Sequence, residues 1–247
     1  TVNQLNYAES ILNKLSLSDN SKIVELSIYQ LASILELKAA KKTKELPISD
    51  NIIKNTFFDL APFNDLALEI ESNTLLGAIS IYDSLIINHN SSEAKYKLAN
   101  LKYKINQNFD LSLAEFQHIE KTSTKRTIKF NSAIRIIDLY ILNGHIDSKL
   151  INQIEKYKRI YNNSEEHVLL DFKKNQLLFY LKEFEKLSEN LKEQLKSLPK
   201  NNGYYNDFLD GFTILMLFNN KDKELEEFSS ALYNIKQNNF SEAITTL

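Results

Sequence analysis

Residues 93–126 read EAKYKLANLKYKINQNFDLSLAEFQHIEKTSTKR. Within this stretch Tyr96, Ala99, Asn100 and Tyr103 recur at spacings of three and four, the period of one face of an α-helix. Ser112 and Phe116 repeat the pattern four residues apart. Asn108-Phe109-Asp110 lies between the two runs. A polar residue there interrupts one helix and starts another, since Asn and Asp side chains bond local backbone amides. The stretch predicts two helices joined by a short turn, and such helices are antiparallel neighbours.

The same spacing occurs one unit earlier. Ala78-x3-Tyr82 is followed by Asn90, and Ser112-x3-Phe116 by Thr124, each pair offset by 34 residues. This pattern resembles the tetratricopeptide repeat, whose period is 34 residues. Tyr96, Ala99, Asn100 and Tyr103 stand where that family places Trp, Leu, Gly and Tyr. A small residue lets helices approach, a large aromatic fills the gap between them, and a stop residue ends the second helix. The chain departs from the family at its Gly and Pro positions, which hold Asn100, Asn90 and Thr124. The best-matching unit is 93–126, and units after about residue 127 are divergent. Asn143-Gly144-His145-Ile146 and Leu181-Lys182-Glu183-Phe184 read as further turns between helices, and Phe240-x2-Ala243 as the opening of another second helix.

Working outward, helical periodicity runs through the chain. Candidate helices are 6–15, 22–41, 50–60, 63–71, 75–88, 93–105, 111–121, 128–142, 148–161, 165–180, 182–198, 204–218 and 224–235. Ser49 and Ser92 read as N-caps, and Asn219-Asn220 and Asn238-Asn239 as turns. The widest breaks are 42–48, with Pro47, and 199–203, where Pro199 closes a helix. Residues 1–46 are therefore expected to form an N-terminal helical pair, and 47–247 the repeats. The predicted fold is all-α: a right-handed superhelix, or α-solenoid, of roughly six antiparallel, tetratricopeptide-like hairpins.

Composition agrees. The 247 residues include only 4 Gly and 3 Pro, too few for folds built on many tight turns. There is no Cys, which excludes disulfides, thiolate metal sites and Cys nucleophiles. A net charge of −2 gives no electrostatic reason to expect nucleic acid. Basic runs at Lys38–Lys44 and Lys121–Lys129 read as solvated helix ends. The strongest apolar run, Phe212–Phe218, is far shorter than the roughly 20 residues of a membrane span. The expectation is a soluble domain with no direct membrane insertion. It opens without Met and stops inside a predicted helix, so it reads as a trimmed piece of a longer protein whose anchor would lie elsewhere.

No catalytic pattern stands out. His89, His118, His145 and His167 are more than twenty residues apart, and none forms the i, i+4 pair of a zinc helix. Gly77, Gly144, Gly203 and Gly211 are too scattered for a phosphate loop. Glu165-Glu166 and Glu226-Glu227 diverge around a helix. The expectation is a non-enzyme without cofactor or metal. The resemblance implies a protein-interaction scaffold or adaptor of a larger bacterial assembly, cytoplasmic or on the exposed part of an envelope protein. Its first helices would line a groove in which Lys97, Leu101, Lys104 and Ile105 meet an extended peptide or helix of a partner protein. The family's carboxylate clamp is not supported, because only Lys97 fits and its partner position holds Leu101. The alternative is a regulatory receptor whose groove takes a short peptide or small ligand.

Overall fold

A computed structural model describes residues 2–40, 72–106, 108–237 and 239–246. The described residues form twelve α-helices and no strand. These are α1 (Val2–Leu15), α2 (Ser21–Ala39), α3 (Ser72–His89), α4 (Ser92–Asn106), α5 (Phe109–Thr122) and α6 (Arg126–Leu142). They continue with α7 (Ser148–Ile160), α8 (Ser164–Tyr180), α9 (Phe184–Ser197), α10 (Tyr205–Leu217), α11 (Asp222–Lys236) and α12 (Phe240–Thr246). The protein is all-α. The predicted helices at 50–60 and 63–71, the Ser49 cap and the 42–48 break lie outside the described residues.

The joints show why the helices stop where they do. At Asn143-Gly144 the Gly144 backbone turns left-handed (φ 75°). The amide of His145 then donates to the Tyr140 carbonyl and that of Gly144 to the Ile141 carbonyl. This double bond pattern is a Schellman closure, which satisfies carbonyls the ended helix would leave open. Leu181–Glu183 repeats it with Lys182 at φ 61°. Asn90 (φ 50°) ends α3 and Asn220 (φ 62°) lies in the turn after α10. Pro199 holds Leu198 extended (ψ 132°), and α9 ends at Ser197.

Helix starts are held by side chains. Asn20, Asn108, Asp147 and Asn163 each accept a hydrogen bond from an amide of the first turn of α2, α5, α7 and α8. Asn163 and Glu166 form a reciprocal capping box. Each such cap contributes about 1 kcal/mol. Two expected positions differ by one residue. Ser92 already belongs to α4, and Ser91 accepts from the Ala94 amide, because Asn90 ends α3 early enough for Ser91 to begin the next turn. Likewise α5 stops before Ser123, whose backbone is extended (ψ 139°), rather than at Thr124.

The described residues divide into two compact units, one ending at Ser132 and one starting at Ala133, a boundary inside α6. In the first unit α2 packs closely on α3, and α4 packs on α3 and α5. Ala32, Ala39, Leu75, Tyr82, Leu85, Ala94, Leu98 and Leu101 form one core. The alanines let α2 and α4 approach α3, and Tyr82 fills the space between. Of the residues in the recurring pattern, Ala78, Tyr82, Ala99, Asn100, Ser112 and Phe116 are buried, while Asn90 and Thr124 are exposed. Tyr96 of α4 meets Phe116 of α5 edge-on, with centroids 5.8 Å apart. In the second unit α8 packs on α7, α9 and α11. Its Phe172 and Phe179 are fully buried, and Phe179 contacts Phe184 and Phe228. Burying each such ring stabilises the fold by roughly 1.5–3 kcal/mol.

Candidate functional site

Helix α4 carries the residues expected to meet a partner. Six successive residues, Tyr96 to Leu101, are buried, so the middle of α4 is covered on every side. Leu101 is wholly inside the core beside Tyr82 and Leu85, and it has no accessible surface to offer a ligand. Lys97 is 6% exposed, Lys104 is half-buried and Ile105 is exposed. The four do not make one accessible stripe. Lys97 lines a cavity.

That cavity, of about 450 Å³, is bounded by α2, α4 and α6 within the first unit. Tyr29, Gln30, Ser33, Ile34 and Leu37 come from α2, Tyr96 and Lys97 from α4, and Ile128 and Asn131 from α6. On α2 these positions follow the i, i+4 spacing that puts side chains on one face. Gln30 of α2 and Asn131 of α6 are exposed. The lining therefore combines two carboxamides, hydroxyls and one ammonium with aliphatic side chains. It contains no carboxylate and no His, so it offers binding groups rather than an acid–base pair.

The α2 wall is anchored from behind. Ser33 lies 3.3 Å from the Tyr82 hydroxyl, which donates to Glu36 Oε1 at 2.5 Å. Tyr29 packs edge-on against the Tyr82 ring at 5.9 Å. Burial, and then the adjacent Glu36 carboxylate, push the Tyr82 phenol far above its ordinary pKa, so it remains a hydrogen-bond donor.

A second cavity, of about 680 Å³, runs along the hairpin of α4 and α5. Ile86 of α3 joins Leu98, Ala99, Leu111, Ala114 and Ile119 in its apolar lining. Its charged or titratable members are Lys95, Lys102, Glu115 and His118. Lys102 bonds Glu115 at 2.8 Å.

The second unit buries a charge cluster instead. Lys173 of α8, 1% exposed, lies 2.5 Å from Asp138 of α6, and Arg135 donates to the other oxygen of Asp138 at 3.0 Å. Desolvation lowers the Lys173 pKa, and the carboxylate opposes it. Beside it on α8, Asn175 donates to Gln194 of α9 at 2.6 Å. Nothing in the sequence distinguishes these polar residues from a solvated face.

Of the histidines, His118 lines the second cavity, and the His167 ring lies 2.9 Å from the Lys158 carbonyl oxygen. The His145 ring meets Tyr140 edge-on, and His89 sits in the last turn of α3. Among the described residues no group of three or more His, Asp or Glu is placed to hold a metal. Among them, too, no helix is long and apolar enough to cross a membrane. The class defined is an all-helical protein whose first unit holds the two cavities described above. No family model, curated protein or solved structure matches the chain.

Proposed function

We propose that this chain is a non-catalytic protein-interaction scaffold, a tetratricopeptide-like solenoid of helix hairpins that holds an extended peptide segment of a partner. The observation that carries the reading is the cavity shared by α2, α4 and α6. Three helices, α2, α4 and α6, contribute one wall each, which suits a stack of hairpins whose first helices line a groove. The groups on the walls suit a peptide. Gln30 and Asn131 can each both donate to and accept from a main chain, while Ile34, Leu37 and Ile128 can pack on alternate side chains.

The face differs from the stripe of Lys97, Leu101, Lys104 and Ile105. Reversing the charge of Lys97 disturbs a buried position as well as the cavity, so the exposed amides are the cleaner test. Peptides selected on the immobilised protein should lose affinity about tenfold when Gln30→Ala and Asn131→Ala are combined, at unchanged melting temperature. Unaltered affinity of every selected peptide for the double variant would reject this groove. The solenoid arrangement is tested separately by small-angle scattering. A radius of gyration well above the roughly 18 Å of a compact 247-residue chain supports it, and one near that value does not.

A further inference from the structure

The cavity along α4 and α5 has a different chemistry from the peptide groove, and its argument does not depend on that groove. Ion pairs fix the hairpin: Glu93 with Lys125 near the start of α4, and Lys102 with Glu115 further along. Their order makes the helices antiparallel, so Lys95 marks one end of the cavity, and Asn106, Asn108 and Leu111 mark the other. Between the ends Ile86, Leu98, Ala99, Ala114 and Ile119 give an aliphatic lining, interrupted by Ser112, His118 and the Lys102–Glu115 pair. Such a slot, apolar with a few polar groups and a volume between about 300 and 1,000 Å³, has the usual form of a small-molecule site.

Charge distinguishes the two ends. Lys102 is neutralised by Glu115 at 2.8 Å. The Lys95 ammonium instead bonds the neutral Asn90 Oδ1 at 2.5 Å and has no carboxylate partner among the described residues. His118 is exposed on the α5 side. The cavity therefore carries one uncompensated cation at its Lys95 end and none at the other. Its width also limits the occupant. The Lys102–Glu115 bond joins both helices across the slot, leaving no room there for a helix of about 10–12 Å diameter.

We propose that this cavity binds a carboxylate-headed alkyl chain, its head on Lys95 and its tail against Leu98, Ala99, Ala114 and Leu111. Lys95 and Lys102 are seven residues apart on α4, a span of roughly 10 Å, which suits a chain of about ten carbons. The carboxylate exchanges the neutral Asn90 amide oxygen for a bond in which donor and acceptor are both charged, the stronger of the two.

Calorimetric titration of the whole chain with decanoate, below its micelle concentration, tests this, with decanol and decyltrimethylammonium as comparison probes. Saturable one-to-one binding of decanoate, tighter than of either comparison probe, is expected. Lys95→Glu should weaken decanoate about tenfold and leave decanol unchanged, since only the head meets that residue. Ala114→Trp, at an exposed position, should weaken both by occupying the slot. Circular dichroism and melting of each variant establish that it is folded. The proposal is overturned if decanoate fails to saturate, if the cationic probe binds as tightly, or if folded Lys95→Glu binds decanoate like the parent.

Discussion

Tyr82 of α3 donates its phenol to Glu36 of α2 at 2.5 Å, and both side chains are wholly buried. The ring fills the space between α2, α3 and α4. The hydroxyl adds a bond to a residue 46 positions earlier in the chain. One side chain thus joins helices that local sequence does not connect. Tyr82→Phe keeps the ring and removes the donor to a buried carboxylate. A loss of about 1–3 kcal/mol is expected in urea denaturation, with an unchanged dependence on denaturant. Equal midpoints for the two proteins would show that the hydroxyl contributes nothing.

Asp138 balances two cations in the second unit, Lys173 and Arg135. Asp138→Ala leaves the buried ammonium facing a guanidinium without its counter-charge. Destabilisation of roughly 3–5 kcal/mol should follow, because the cost is that of an uncompensated buried charge. Asp138→Leu combined with Lys173→Met should recover much of it, since an apolar pair replaces the ions. A double variant as unstable as the single one would contradict this account.

Alkali should unfold the protein through its buried phenols. Burial raises the pKa of Tyr82, Tyr180 and Tyr204, and pushes Tyr233 up to about 12. In the unfolded chain each phenol ionises near pH 10. Above that pH the unfolded state therefore holds fewer protons than the folded one, and stability falls as pH rises. Melting temperature should accordingly drop from about pH 10 upward. Tyr233, which donates to the Ile141 carbonyl at 2.8 Å, can be removed as a contributor by Tyr233→Phe, which should make the decline shallower. A decline of the same steepness in that variant would exclude Tyr233 as a contributor.

Helix positions were legible because the signal for them is local. The periodicity of residues 128–142 and 165–180 places α6 and α8 to within two residues. Asn143-Gly144 announces its turn through the residue types that tolerate a left-handed backbone. Ala78, Tyr82, Ser112 and Phe116 are buried, as helical spacing of small and aromatic residues implies.

The site was less legible because burial depends on neighbours remote in sequence. Lys97 was expected on an accessible groove face, yet α2, α4 and α6 together enclose it. Leu101 shares its helical stripe but is covered by α3. Lys173 and Asp138 look like surface charges until α6 and α8 are brought together. The capping box of Asn163 and Glu166 did carry a readable signal, the polar residue followed three positions later by Glu. Asn20 and Asn108 did not stand out in a chain so rich in Asn. In α10 the apolar run exceeds what is buried: only Phe208 and Gly211 are, while Leu209, Met216 and Leu217 remain exposed.

Among the described residues, three of the four left-handed positions are Asn90, Lys182 and Asn220, not glycine. A side chain there raises the local energy of the native bend, but it also narrows the conformations open to the denatured chain. The articulations between consecutive rods are thereby less compliant than glycine would make them. Thermal fluctuation at these elbows is then resisted by the backbone itself as well as by the packing of the rods.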